Sequence, residues 1–261
     1  MNFPDINPTA FSIFGLSIKW YGIAYAVGFL GGISYAKNLA RKFEVLKPKI
    51  FDDIIIWTAL GTIIGGRLGY VLFYDFSFYI NNLLLILLDI RKGGMSFHGG
   101  LLGVIIFNFS YAKIKKINFL SIMDIIACCA PIGLFCGRIA NFINSELWGK
   151  PTSLPWGIVF PNADEFPRHP SQLYEAILEG FILIIIMSFI YSKMKDIKGY
   201  TAGSFLIFYG LFRIFSEFFR EPDFHMGYIT GDIITMGMML SFPMIIVGCL
   251  TILFSLKCQK I

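Results

Sequence analysis

The chain has 261 residues, 56% of them hydrophobic and only 15% charged, and its mean hydropathy of +0.69 excludes an ordinary soluble domain in favour of a protein dissolved in lipid. A net charge of +5 does not signal nucleic acid, because the lysines lie in short clusters between apolar stretches, where they act as topology signals. Cys128, Cys129, Cys136 and Cys249 fall inside apolar segments and Cys258 lies in the tail, none with CxxC spacing. Disulfides and zinc are therefore not expected, and Cys136, near Arg138, is read as a buried structural thiol.

In chain order, residues 1–11 have no basic n-region, contain Asp5 and lack a small-residue cleavage site, so no removable leader is expected. Seven apolar stretches then match the ~17–25 helical residues that cross a hydrocarbon core: 20–40, 51–73, 95–112, 119–142, 173–191, 201–219 and 232–256. A further run, 76–90, is bounded by Asp75 and Asp89 and is too short to span, so it is expected to be interfacial or re-entrant. The lysines and arginines at 37–49, 113–116, 193–198 and 257–260 fall in alternate connections. By the positive-inside rule these face the cytoplasm, which puts the N-terminus outside and the C-terminus inside. An eighth span would place consecutive clusters on opposite sides. The expected fold is an all-α integral membrane protein, a polytopic bundle of seven transmembrane helices forming one domain over 1–261, with an outward-facing cap at about 144–170. No internal repeat and no matched pair of broken helices is seen, which counts against a transporter.

With direction assigned, the polar residues inside the spans fall in the outer half. Tyr21 opens the first helix, Arg67 lies in the outer part of the second, and His98 begins the third. Arg138 and Asn141 close the fourth, with Asn144 and Glu146 just beyond, and Tyr209, Arg213 and Glu217 run along the sixth toward its outer end. An arginine at mid-bilayer costs about 2.5–3.5 kcal/mol on insertion scales. Each could snorkel or pair with a neighbour such as Glu217 or Glu146, but convergence of three on one level calls for a common purpose.

Tyr209, Arg213 and Glu217 repeat at i, i+4 and share a helix face, Arg220 follows Glu217 at i+3, and Arg138 and Asn141 are i, i+3 neighbours. Guanidinium groups on two helices can grip an anionic headgroup, because the planar fork matches phosphate oxygens, and the natural anion in an outer leaflet is a phospholipid. His98, between glycine pairs in Gly93-Gly94-Met95-Ser96-Phe97-His98-Gly99-Gly100, is either a general base or an interhelical hydrogen-bonding group. His169 and His225 are expected at the surface, although Arg168-His169-Pro170-Ser171-Gln172 could cap a cavity.

The run Gly137-Arg138-Ile139-Ala140-Asn141-Phe142-Ile143-Asn144-Ser145-Glu146-Leu147-Trp148-Gly149 resembles the signature of the prolipoprotein diacylglyceryl transferases. The likeness extends to Trp20-Tyr21-Gly22, Gly66-Arg67-Leu68-Gly69-Tyr70, Ser96-Phe97-His98-Gly99-Gly100, Arg168-His169-Pro170-Ser171-Gln172-Leu173-Tyr174-Glu175, and Tyr209-Gly210-Leu211-Phe212-Arg213 through Glu217-Phe218-Phe219-Arg220, in order along nearly the whole chain. The resemblance implies a seven-helix enzyme of the bacterial cytoplasmic membrane, with its active site toward the outer leaflet. It would move the diacylglyceryl group of phosphatidylglycerol onto the lipobox cysteine of a prolipoprotein signal peptide and release glycerol 1-phosphate. It implicates Tyr21, His98, Arg138, Asn141, Glu146, Gly149, Arg213 and Glu217, and it implies no metal or organic cofactor. The outer segment between Trp156 and Pro167 is shorter than in some members.

Such a reaction needs a thiolate and a stabilised phosphate leaving group, and a free thiol, with a pKa of about 8.5, is mostly protonated at neutral pH. The expected assignment gives Arg138 and Arg213 the phosphate and His98 the thiol proton, with Tyr21, Asn141 and Glu217 orienting them and Glu146 as second candidate base or orienter. Tyr209, Arg67 and Gly149 complete the expected lipid site. An anionic phospholipid flippase or transporter is the alternative; it predicts polar residues on both sides of the midplane.

Overall fold

A computed structural model describes all residues except 5, 14–15, 74–75, 89–94, 223–226, 232 and 260–261, and describes the backbone alone of 13, 16, 73, 87–88, 97–98 and 230. The chain divides into two compact units, Ala40–Ile122, and Met1–Leu39 with Met123–Ile261. Helices dominate both. Among the described residues, four helices are long and apolar enough to cross a membrane: Ile50–Leu72, Phe119–Ile143, Ser171–Met194 and Met236–Gln259.

The elements run in the order β1 (Thr9–Ile13), β2 (Leu16–Lys19), α1 (Trp20–Phe43), α2 (Ile50–Phe73), α3 (Phe76–Ile80), α4 (Leu85–Leu88), α5 (Phe97–Lys115) and α6 (Phe119–Ile143), and then α7 (Ser171–Glu175), a π-helical segment (Ala176–Ile182), α8 (Leu183–Met194), α9 (Tyr200–Glu217), β3 (Tyr228–Thr230), β4 (Ile234–Thr235) and α10 (Met236–Gln259).

In the unit Ala40–Ile122, α2 and α5 are held by glycine against glycine. Gly61, Gly65 and Gly69 repeat every four residues on α2, and Gly99 and Gly103 do the same on α5, so each set forms one stripe. A Cβ on Gly65 would come within 2.3 Å of the Gly99 carbonyl oxygen, and one on Gly103 within 2.0 Å of that of Gly61. The backbones therefore touch directly. Asn108, fully buried, adds an interhelical bond from Nδ2 to Thr58 Oγ1 at 3.0 Å. Ser96 caps α5, accepting from the Gly99 amide at 3.2 Å and donating its own amide to the Gly66 carbonyl at 2.8 Å.

The run expected to be interfacial or re-entrant forms two short helices, α3 and α4, joined by a turn. Arg67 fastens them. Its Nε donates to the Ile86 carbonyl at 2.7 Å, and its Nη2 to the Tyr79 hydroxyl and the Leu85 carbonyl, both at 3.1 Å.

The larger unit departs from an all-α expectation at two small antiparallel hairpins, β1–β2 and β3–β4. The last span, expected from residue 232, starts as a helix only at Met236, because Ile234–Thr235 pairs with Tyr228–Thr230. The span expected at 173–191 is one continuous helix from Ser171 to Met194 but is π-helical over Ala176–Ile182. Such insertions cluster at functional sites. Close helix packing again uses glycine: a Cβ on Gly248 of α10 would meet the Gly203 carbonyl of α9 at 2.6 Å, and one on Gly180 would meet Phe135 Cβ of α6 at 2.6 Å. The start of α9 follows Gly199, which has no side chain to cap it. Asp124 of α6 does so instead, accepting from the Gly199 and Ala202 amides at 2.7 and 2.8 Å.

Replacing Gly65 by Ala forces α2 and α5 apart, whereas an added Cβ at Gly133 meets nothing within 4 Å. Gly65→Ala is expected to destabilise by about 1–3 kcal/mol through overpacking, with Gly133→Ala close to neutral. Thermal unfolding of the detergent-solubilised protein measures both; equal melting temperatures would refute the backbone contact.

Candidate active site

The larger unit gathers its buried charges where helix ends meet. Arg138 is near the end of α6, Glu175 closes α7, Glu179 lies in the π-helical segment, and Arg213 and Glu217 close α9, with Arg220 just beyond. Arg138 reaches Glu175 Oε2 through Nε at 2.9 Å and Glu179 Oε2 through Nη2 at 3.1 Å. Arg213 Nη1 is 3.1 Å from Glu175 Oε1 and 3.7 Å from Glu179 Oε1, and its Nη2 binds Glu217. Arg220 Nη1 lies 3.8 Å from Glu175 Oε1 and 3.7 Å from Glu217 Oε1. Tyr209, also buried, stands one turn before Arg213 on α9.

Exposure within this cluster is uneven. The side chains of Glu175 and Glu179 are 0% exposed, while those of Arg138 and Arg213 keep 15% and 12%. The two glutamates are thus wholly enclosed, and the arginine side chains keep what exposure these pairs have. Among the described residues, nothing bonds Nη1 of Arg138. Three guanidinium groups and three carboxylates balance in charge, as burial requires.

Gly237, the second residue of α10, leaves room for this packing. A Cβ there would stand 2.5 Å from Glu217 Oε1 and 3.2 Å from Arg213 Nε.

A second constellation links α1 to the end of α6. Asn141 Nδ2 donates to the Tyr21 hydroxyl, which donates in turn to Glu146 Oε2 at 3.0 Å. Glu146 is presented by a tight turn in which Ser145 and Leu147 both adopt left-handed backbone, with φ of 53° and 56°. Neither is glycine, so the turn is strained and must be held from outside. Ser171 Oγ donates to the Leu147 carbonyl at 3.0 Å and Gln172 Nε2 to that of Glu146 at 2.6 Å. Both residues are fully buried at the start of α7.

Gly149 lies at the root of the cap, bridged to Arg220, with its amide on the His169 carbonyl at 2.9 Å. A Cβ would meet the Phe219 carbonyl oxygen at 2.5 Å and His169 Cβ at 2.6 Å. Arg168 fastens the segment between α6 and α7. It grips Asp164 at 2.9 and 2.6 Å, the Gly149 carbonyl at 3.0 Å and Glu221 at 3.2 Å. Its hydrogen bonds hold the Asp164 carboxyl below the usual carboxylate range. Burial, with the nearby Lys150 charge, pushes the pKa of the His169 imidazole down, and its Nδ1 lies 3.1 Å from the Tyr174 hydroxyl.

Of the sequence-expected residues, the structure brings together Arg138, Tyr209, Arg213 and Glu217 in one cluster and Tyr21, Asn141 and Glu146 in the other. Arg138 pairs with Glu175 and Glu179, not with Glu146, which belongs to Tyr21. Arg67 and His98 belong to the other unit. Arg67 is 2% exposed and engaged in holding α3 and α4. His98 is the second residue of α5, fixed in backbone by the Ser96 cap, and its side chain lies outside the described residues, as does His225. Sequence reading missed Glu179 and gave Glu175 no role. The signal was available: two glutamates four apart in an apolar span, with Lys193 at the far end as the one cation of that helix and out of reach, require partners on other helices. Gly237 and the Ser171–Gln172 clamp had no comparable signal.

The prolipoprotein diacylglyceryl transferase family model matches residues 8–254. The chain is 51% identical over 251 residues to the phosphatidylglycerol–prolipoprotein diacylglyceryl transferase of Rickettsia felis, covering 95% of this chain and 96% of that protein. It is 46% and 48% identical over 255 residues to the proteins of the same name from Brucella anthropi and Brucella canis, each alignment covering 94% of this chain and 90% of the relative. With near-complete coverage on both sides, the chain belongs to the prolipoprotein diacylglyceryl transferase family.

Proposed function

We propose that this protein transfers the diacylglyceryl group of phosphatidylglycerol to the lipobox cysteine thiol of bacterial prolipoproteins, forming a thioether and releasing glycerol 1-phosphate. The observation that carries the reading is the Arg138–Arg213 pair, anchored by buried glutamates and itself still partly exposed, at 15% and 12%. A preorganised guanidinium pair in a dry setting stabilises charge developing on a phosphate with little reorganisation.

In this reading the cysteine sulfur attacks the glycerol carbon that bears the phosphate ester. The carbon–sulfur bond forms as the carbon–oxygen bond breaks, and the electron pair leaves on the phosphate oxygen between Arg138 and Arg213. His98 takes the thiol proton; Glu146, oriented by Tyr21 and Asn141, is the second candidate base. Glu217 and Tyr209 position Arg213, Gly149 sets the root of the cap, and Arg67 is assigned to the lipid site by the family resemblance alone. No metal or organic cofactor enters, since the lipid carries the leaving group.

The same reading makes the protein one transmembrane domain of seven helices in the bacterial cytoplasmic membrane, N-terminus outside, C-terminus cytoplasmic, with a cap at about 144–170 facing outward. It is supported within the larger unit by helix direction: polar groups come from the start of α1, the end of α6, the start of α7 and the end of α9. Phosphatidylglycerol and an exported cysteine peptide meet at such an outer level.

Purified protein with phosphatidylglycerol and a lipobox peptide is expected to yield lipidated peptide and glycerol 1-phosphate in equal amounts; lipid movement without lipidation would sink the proposal. Arg213→Lys keeps the charge but loses the fork, and is expected to lower the rate on the order of 100-fold in the same assay. Full activity would remove the bidentate grip. His98→Gln is expected to cost roughly 100- to 10,000-fold and to remove the limb of the pH–rate profile near neutrality. An unchanged rate and profile would transfer the base role to another residue.

A further inference from the structure

At formal charges the arginine–glutamate cluster is balanced before any lipid arrives, with Arg138, Arg213 and Arg220 against Glu175, Glu179 and Glu217. A bound phosphodiester adds one negative charge to a site whose carboxylates are only 0–4% exposed. Uncompensated charge there is costly, so one carboxylate must change its charge or its partners on binding.

The three carboxylates are not held equally. Glu175 faces three arginines, at 2.9, 3.1 and 3.8 Å. Glu217 is bound by Arg213, lies 3.7 Å from Arg220 and packs against the first turn of α10 at Gly237. Glu179 accepts one hydrogen bond, from Arg138 Nη2 to Oε2 at 3.1 Å. Its Oε1 is 3.7 Å from Arg213 Nη1, too far for a hydrogen bond, whereas Glu175 Oε2, which like it lacks an aligned donor among the described residues, has the Arg138 Nε at 2.9 Å. The groups facing Glu179 are Arg138 from α6, Arg213 and Tyr209 from α9, and Glu175 one turn earlier on its own helix.

We infer that Glu179 is an internal stand-in for the lipid phosphate, holding the Arg138 fork before the lipid binds and releasing it, with a proton taken up on Oε1, when the phosphodiester arrives. Release frees Nη2 to join Nη1, which has no described partner, while Nε stays on Glu175 at 2.9 Å. The two terminal nitrogens then present a bidentate pair to the phosphate. The proton comes from solvent, no bond of the lipid changes in this step, and the cluster with its ligand regains neutrality. Glu179 is thus a positioning residue that couples lipid binding to pH, an inference that rests on the proposed phosphate site.

Short-chain phosphatidylglycerol, whose phosphodiester does not titrate near neutrality, is the probe. Calorimetric titration of the detergent-solubilised protein in buffers of different ionisation enthalpy is expected to show uptake of close to one proton. Affinity should fall as pH rises, by up to about tenfold per pH unit. Glu179→Gln, a permanently neutral isostere, is expected to bind at least as tightly and to lose most of that uptake. No proton uptake by the unaltered protein, which requires no variant to fold, would overturn the inference, as would equal uptake in Glu179→Gln. Lipidation of a cysteine peptide, assayed in parallel, keeps the two ideas apart: transfer without proton uptake removes the Glu179 role alone, whereas binding with proton uptake but no transfer supports that role and removes the proposed reaction.

Discussion

Balance between three arginines and three glutamates is the constraint on which the larger unit turns. Each guanidinium or carboxylate alone would be expensive in an apolar, helical setting, and each is acceptable only because its partners arrive from other helices. Glu175 makes the point most directly: from the end of α7 it meets Arg138 of α6, Arg213 of α9 and Arg220 beyond α9. Removing that one carboxylate would leave three cations competing for two acids. The helices cannot slide or rotate independently without breaking ion pairs, so the charge network sets their register as much as apolar packing does.

The remainder of the unit serves that register. Asp124 fixes the start of α9, and with it the phase of Arg213 and Glu217 four turns later. Gly180 lets the π-helical segment press against Phe135 of α6, one turn before Arg138, and Gly237 admits the Glu217 carboxylate to the first turn of α10. Ser171 and Gln172 spend their polar groups on the strained turn at 145–147, so the short helix that ends in Glu175 also presents Glu146. One stretch of five residues therefore supports both constellations.

Much of this was legible in the sequence, and the reasons for the rest are physical. Hydropathy located the helices because a bilayer demands long apolar runs with internally satisfied backbones. Spacing put Tyr209, Arg213 and Glu217 on one face because helical periodicity is local. Partner choice is not local. Nothing in the neighbourhood of Arg138 distinguishes Glu146, eight residues away, from Glu175 and Glu179, and only tertiary structure sends Glu146 to Tyr21 instead. Strand β4 was absorbed into an expected span because Ile233, Ile234 and Thr235 suit either a strand or an apolar helix start. The π-helical segment leaves no compositional mark at all.

Charge balance also explains why arginines, rather than lysines, occupy these positions. A single ammonium is a point charge, and a phosphate approaching it must displace whatever carboxylate holds it. Arg138 uses Nε for Glu175 and Nη2 for Glu179, so one fork contacts two acids through different nitrogens and keeps a third nitrogen without a described partner. It can exchange one partner for a ligand while retaining the other, which preserves its position through binding. A cation that is anchored and available at once is what a phosphate site in an apolar environment requires, and the guanidinium group meets that requirement by geometry.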